Sequence, residues 1–294
     1  MNIQTANFSH WAFVKDKIVS REEACTDIED RGYQFGDGAY EVIRVYGGKT
    51  FYEKEHLLRM ERSLKELRIP FPNGLERLST ATSALIQAEG IEDGIVYLQV
   101  TRGAAKRVHQ FPSPPSEAIL TGTASSLARP KENVEKGVRV LLTRDLRWAR
   151  NDIKSLNLLG SVLSKQDAKD ASCFEAVLHR DGLLTEGSSS NLFILKYGRL
   201  QTHPANNFIL AGITRDIIIS LAKQAGLGVQ EKDFTIEEML GAEEVFLTGT
   251  TTEVMPVTSV LVEGKERRIA GGLIGKTSRS LQEGLEKLFG GVHP

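Results

Sequence analysis

Phe174 to Leu200 reads FEAVLHRDGLLTEGSSSNLFILKYGRL, a succession of short apolar runs broken by the pairs Asp181-Gly182 and Tyr197-Gly198. Such pairs accept the positive φ angles of tight hairpin turns, so the runs read as strands joined to their neighbours by hairpins. Between two of these strands, Glu186 is followed by four small residues, Gly187 to Ser190. Working outward, GVRVLLTRD and EEVFLTG add further strands, and NLLGSVLSKQDAKDA, TRDIIISLAKQAG and KTSRSLQEGLEKLF are helical runs set between or after them. Hairpin-linked strands with helices at intervals predict an α+β domain whose mixed sheet is curved and barrel-like.

The first part of the chain has its own pattern. WAFVKDKIV and GAYEVIRVYGGKTFY are hairpins split at Lys15 to Lys17 and at Gly47-Gly48. In EKEHLLRMERSLKELRI, Leu57, Met60, Leu64 and Leu67 recur at helical spacing, and Pro70 closes the run. A second helix, GLERLSTATSALIQAEG, closes at Gly90, and GIVYLQVTRG and EAILTGTA follow as antiparallel neighbours. The segment ASSLARPKE, residues 124–132, interrupts the periodicity and reads as a linker. The sequence therefore predicts two domains, a smaller α/β sandwich-like one over 1–123 and a larger one over 133–294, with a small-molecule site in the cleft between them.

Bulk properties narrow the function. With 37 Lys+Arg against 38 Asp+Glu, the formal net charge of -1 gives no electrostatic reason for a nucleic-acid or anionic-membrane partner. The N-terminus lacks a basic region leading into an apolar one, and no stretch approaches a membrane span, so a cytoplasmic protein is expected. The two cysteines and 6 histidines form no metal-ligand cluster, and no metal is expected.

Lys154 stands in RNDIKSLNLLGSVLSKQDA, where a loop passes into a helix. An amine partly shielded by Leu156, Leu158 and Leu159 would favour the neutral form that attacks an aldehyde. Glu186, followed by small residues, can lie against a flat ring and hold a pyridine nitrogen protonated. In ILAGITRDIIISLAKQ, Gly212, Ile213 and Thr214 precede an apolar helix whose free N–H groups suit a phosphate, although Thr214 would also serve as an ordinary cap. FLTGTTTEVMP offers Gly249, Thr250 and Thr251 as a second anion cup. Taken singly, each of these is more often a solvated lysine, a polar loop or a helix cap.

Together, EDRGYQFGDGAYEVIRVYGG, DIKSLNLLGSVLSKQDA, LTEGSSSNLF and LAGITRD resemble, in order and spacing, the fold-type IV pyridoxal 5′-phosphate (PLP) enzymes, and specifically the bacterial D-amino acid aminotransferases. The likeness runs from about Ile28 to the C-terminal helix. It implies that PLP sits in the interdomain cleft, that Lys154 carries it covalently and shuttles the substrate α-proton, and that Glu186 pairs with its ring nitrogen. Arg59, in HLLRMERS, would bind the phosphate with Ile213, Thr214, Gly249 and Thr250. The family often has serine at the position of Gly249, so one side-chain contact to phosphate would be missing. Ser189 and Arg147 would lie near the ring. Arg107 and His109, an R-x-H triplet in QVTRGAAKRVHQFP, would bind the substrate carboxylate with Tyr40, and Val42 would line the side-chain pocket. In the family this loop serves a neighbouring subunit, which implies a homodimer. The expected reaction passes an amino group from a D-amino acid to a 2-oxo acid by a ping-pong route.

A branched-chain L-amino acid aminotransferase or an aminodeoxychorismate lyase shares the lysine and glutamate, and the R-x-H loop separates the D-specific enzyme from both. AGGLIGKT, Ala270 to Thr277, fits a relaxed P-loop, a more distant alternative in which a nucleotide would bind.

Overall fold

The computed structural model describes residues 8–290. The chain divides into two compact units. One runs to Ala128 and also takes in Ile153–Asn157; the other holds Arg129–Asp152 and the chain from Leu158 onward. The sequence reading puts all of 133–294 in the second domain, whereas the five residues around Lys154 fold with the first. The reason is a strand edge: Leu156 N–H donates to Gly38 O at 3.0 Å, and Lys154 O accepts from Tyr40 N–H at 3.0 Å. The residues of the expected linker are also structured at both ends, in a strand and a short helix.

In the first unit, β1 (Trp11–Val14), β2 (Lys17–Ser20), β3 (Gly38–Tyr46), β4 (Lys49–Thr50), β5 (Gly94–Thr101) and β6 (Ile119–Ser126) form a six-stranded sheet in the order β2-β1-β6-β5-β3-β4. Every pairing in it is antiparallel. Lys15 and Asp16 carry φ of 48° and 63°, and Gly47 and Gly48 carry 53° and 76°, so both expected hairpin turns form. Alternation along β3 sends Ala39, Ile43 and Val45 to one face, where they pack on Leu57, Met60 and Leu64 of α2 (Glu53–Glu66) and Leu78, Ala81 and Leu85 of α3 (Gly74–Glu89). Tyr40 and Val42 take the opposite, partly exposed face. A five-residue helix, α1 (Arg31–Phe35), precedes β3; Asp30 caps it by accepting from the N–H groups of Gly32 and Tyr33. Its segment, EDRGYQFGDG, has no helical periodicity, which is why pattern reading passes over it.

The second unit is built on a nine-stranded mixed sheet. Its elements are α4 (Lys131–Lys136), β7 (Val138–Arg144), α5 (Leu159–Asp170), β8 (Glu175–Arg180), β9 (Leu183–Gly187), β10 (Asn191–Lys196), β11 (Arg199–Thr202), α6 (Ile213–Gln224), β12 (Gly228–Glu231), α7 (Ile236–Leu240), β13 (Glu244–Gly249), β14 (Glu253–Val262), β15 (Lys265–Arg268) and α8 (Lys276–Gly290). The order is β12-β11-β10-β13-β14-β7-β8-β9, with β15 beside β14. Parallel pairs at β11/β12, β14/β7 and β7/β8 sit among antiparallel ones, the mixed character the sequence predicts. Asp181-Gly182 and Tyr197-Gly198 turn β8 into β9 and β10 into β11 with positive φ at all four residues. Val177, Leu184, Leu192, Ile194, Leu247, Met255 and Val260 belong to its buried core. No helix among the described residues is long and apolar enough to cross a membrane.

The relaxed P-loop is a helix cap. The N–H groups of Thr277 and Ser278, at the start of α8, donate to the Glu244 carboxylate at 2.9 and 2.7 Å. A Cβ on Gly275 would lie 1.9 Å from that carboxylate, so the end of the helix that could hold a phosphate is filled by the protein's own anion.

Candidate active site

In the first unit the residues around Lys154 lie along β3. Lys154 N–H donates to Ser63 Oγ of α2 at 3.2 Å, its carbonyl accepts from Tyr40, and Ser155 bridges to Ala39. The backbone at Lys154 is thereby pinned on two sides. Its Nζ lies 4.2 Å from the centroid of the Tyr40 ring, and Tyr40 stacks on Tyr97 with centroids 5.7 Å apart. Of the three leucines expected to shield the amine, Leu156 and Leu158 are half-buried and Leu159 is 71% exposed; the Tyr40 ring lies against the amine as well. Burial, with Tyr40 adding to it, pushes the Tyr97 phenol up to about 12. Val42 is half-buried on the same face as Tyr40, two residues along the strand.

On the other face Glu41 meets α2. It accepts from Arg59 Nε and Nη2 at 2.9 and 2.8 Å and lies 3.0 Å from His56 Nδ1. Burial by itself would raise the Glu41 carboxyl, but Arg59 and His56 together hold it well below the usual carboxylate range. For His56, burial outweighs Glu41 and lowers its affinity for a proton, with the charges of Arg59 and Lys154 acting in the same direction. Arg59 is thus oriented by a two-point contact. A signal for Glu41 exists in the sequence: in Ala39-x-Glu41-x-Ile43-x-Val45 it is the one charge in the apolar phase of the strand.

Arg107 and His109 lie on the loop between β5 and β6 and are exposed. Both pack on Phe35 of α1, with the Arg107 guanidinium 5.0 Å from the ring centroid and the His109 ring edge-on at 5.8 Å. Among the described residues no hydrogen bond joins either of them to Tyr40.

The second unit assembles a separate cluster around Glu186, at the end of β9. Its Oε1 accepts from Arg147 Nη1 at 2.6 Å, its Oε2 from Asn191 Nδ2 at 2.9 Å, and both from Leu210 N–H at 3.2 Å. Arg147 also donates to Asp145 from Nε and Nη2, each at 2.9 Å, and Asp145 accepts from Thr185 and Arg180 as well. Burial pushes the Glu186 carboxyl up to about 7 despite Arg147 and the Leu210 N–H, and Asp145 adds to the rise. Asp145 itself goes the other way: burial would raise it, but Arg147 and Arg180 lower it.

Asn191 links this carboxylate to the helix beyond. Its Nδ2 also donates to Leu210 O at 2.8 Å, and its Oδ1 lies 2.0 Å from where a Cβ on Gly212 would be, so position 212 admits only glycine without a shift. Gly212 is the extended N-cap of α6, Ile213 its first residue, and the start carries no side-chain cap hydrogen bond. Thr214 therefore lies inside the helix rather than capping it, and among the described residues no N-cap side chain takes the first-turn N–H groups, which suit an anion. Ser189 Oγ donates to the buried Glu175 at 2.8 Å, and the hydroxyls of Ser188 and Ser190 donate to the same carboxylate. The Ser189 carbonyl lies 3.6 Å from where a Cβ on Gly249 would be, and Gly249 and Thr250 are half-buried. Asp145 and Asn191 escaped sequence reading because nothing in their spacing distinguishes them from ordinary loop and strand residues.

These donor sets fit PLP. A buried carboxylate able to hold a proton near neutrality suits a pyridine nitrogen, and an uncapped helix start suits a phosphate. The fold is that of a PLP-dependent aminotransferase. The family described as Amino-transferase class IV matches residues 38–260, and the chain belongs to it. The D-alanine aminotransferase of Staphylococcus epidermidis is 43% identical over 275 residues, 94% of this chain and 96% of the relative. That of Bacillus licheniformis is 43% identical over 270 residues, 92% of this chain and 94% of the relative. Among solved structures, the branched-chain amino acid aminotransferase of Escherichia coli superposes with a TM-score of 0.87 at 27% identity, covering 97% of this chain and 96% of that one. The T.th. branched-chain amino acid aminotransferase solved with pyridoxamine 5′-phosphate gives 0.88 at 29% identity, covering 96% and 95%.

Proposed function

We propose that this PLP enzyme moves the amino group of D-amino acids, such as D-alanine and D-glutamate, to 2-oxo acids in two alternating half-reactions, with Lys154 as its covalent anchor and proton carrier. The observation that carries the reading is the pinned backbone of Lys154, whose Nζ lies 4.2 Å from the Tyr40 ring centroid. A base that takes a proton from one atom and returns it to another needs such a fixed pivot. When bound, PLP supplies an electron sink for the charge left by that proton.

Each remaining residue has a defined task. Glu186 pairs as a carboxylate with the pyridine nitrogen and keeps it protonated; Arg147 and the Leu210 N–H favour its charged form against the burial that raises it. Arg147 lies beside the ring by way of its 2.6 Å contact with Glu186, and Ser189 contributes through its main chain. Arg59, oriented by Glu41, binds the phosphate together with the N–H groups of Ile213 and Thr214 and the Gly249-Thr250 turn. Arg107, His109 and Tyr40 receive the substrate carboxylate; a guanidinium, an imidazole and a phenol can all donate to it. Fixing the carboxylate on one side decides which face of Cα meets Lys154, and that selects the D enantiomer. Val42 borders the substrate side chain.

Arg107 and His109 are exposed on their own chain, which supports a homodimer in which the loop serves the partner's site. Identity of 43% to D-alanine aminotransferases, against 27% to 29% for the branched-chain enzymes above, favours D substrates over L. We place the enzyme in the cytoplasm, where its free thiols Cys25 and Cys173 would stay reduced.

The test uses the purified yellow enzyme without a second substrate. D-alanine should remove the visible absorbance of the lysine-bound cofactor within one turnover, and L-leucine should leave it. If L-leucine bleaches the enzyme and D-alanine does not, the stereochemical assignment is wrong.

A further inference from the structure

The loop that carries Arg107 and His109 spans residues 102–118, long enough to need something that fixes its shape. Its first part is tied to the α1 segment through the backbone: Arg31 N–H donates to Gly103 O at 3.0 Å, and Ala105 N–H to Glu29 O at 3.2 Å. Beyond Ala105 the grip passes to side chains. Arg31, only 3% exposed, donates from Nη1 to Val108 O at 2.7 Å and from Nη2 to His109 O at 3.4 Å. Its Nε is held by Asp37 at 2.8 Å, which fixes the direction of the fork. The guanidinium also lies 4.8 Å from the Phe35 centroid, and Arg107 and His109 meet that same ring.

We infer that α1 is a platform for substrate-carboxylate recognition, in which Phe35 sets the side chains of Arg107 and His109 and Arg31 sets the loop backbone beneath them. Phe35 and Arg31 are positioning residues; they touch no reacting atom. The physical reason is entropy. An arginine and an imidazole on a free loop must be ordered each time a carboxylate arrives, whereas a shared aromatic ring orders both beforehand. The cost of losing the ring falls on substrate capture and leaves the proton transfer at Lys154 untouched.

This inference rests on the reading of Arg107 and His109 as carboxylate donors, and the experiment separates the two. Steady-state kinetics with D-alanine are measured for the holoenzyme and for Phe35→Leu, Phe35→Tyr and Arg107→Met, together with the cofactor absorbance spectrum and Tm of each. Phe35→Leu should raise KM about five- to tenfold, with kcat, spectrum and Tm close to wild type, as loss of a cation–π contact and its ordering predicts. Phe35→Tyr keeps the ring and should restore KM to within about twofold of wild type. An unchanged KM in Phe35→Leu, or a fall in kcat and Tm in its place, overturns the platform. If Arg107→Met raises KM and Phe35→Leu does not, the platform alone fails; if Arg107→Met leaves KM unchanged, the carboxylate reading fails and the platform with it.

Discussion

Glu41 in the first unit and Glu186 in the second are both buried glutamates bonded to an arginine, yet their proton affinities move in opposite directions. Glu41 is held well below the ordinary carboxylate range, while Glu186 rises to about 7. Burial raises both. The difference lies in how each arginine is shared: Arg59 gives two hydrogen bonds to Glu41, and His56 adds a third contact. Arg147 divides itself between Glu186 and Asp145, and it gives Asp145 the two-point contact. Glu41 thus receives a two-point contact from one guanidinium. Glu186 receives a single contact from a guanidinium that gives two to Asp145.

This contrast can be broken most forcefully at Glu41. Glu41→Gln removes the carboxylate charge that holds two nitrogens of the Arg59 guanidinium, 9% exposed, and should lower stability by about 3 to 5 kcal/mol in a denaturant titration. A shift under about 1 kcal/mol would mean that the pair is not the anchor described. Glu186→Gln should behave differently, because Asp145 still pairs Arg147: near neutral pH the loss of stability should be smaller than at Glu41, whereas kcat falls by about a hundredfold or more as the ring proton loses its partner.

Titration sharpens the comparison. The folded-state value of Glu186 lies above its usual 4.5, so between 4.5 and about 7 the native protein holds a proton that the unfolded chain has released. Its contribution to stability is therefore full below 4.5 and lost as pH rises through 7. Glu41 acts with the opposite sign, since its contribution is present above the usual carboxylate range and lost on strong acidification. With the cofactor removed, the stability difference between the native sequence and Glu186→Gln should slope with pH in that window by up to about 1.4 kcal/mol per unit. A flat difference would contradict the raised carboxyl. The smallest effect is expected at Asp145→Asn, which turns Arg147 fully onto Glu186. Glu186 should then titrate lower and kcat fall about tenfold; an unchanged kcat would show that sharing the arginine has no consequence.

Much of this was legible in the chain itself. The hairpins at Lys15-Asp16, Gly47-Gly48, Asp181-Gly182 and Tyr197-Gly198 follow from turn chemistry, and the long helices from apolar spacing, because both are local. The small helix α1, the short strand β12 and the move of residues 153–157 into the first unit were not, since each depends on contacts distant in sequence. The same division holds at the site. Lys154, Glu186 and the α6 start stand in recognisable stretches, but the roles of Glu41, Asp145 and Asn191 exist only once strands and loops bring them to Arg59, Arg147 and Gly212. The surroundings of Lys154 show the limit of neighbours in sequence: Leu159 is exposed, and Tyr40, far earlier in the chain, brings its ring centroid to 4.2 Å from the amine.

The most direct test is chemical. Borohydride reduction of the yellow enzyme, followed by digestion and peptide mapping, should place the reduced cofactor on the single peptide that contains Lys154. Label on another lysine, or on none, would contradict the assignment of this amine as the anchor.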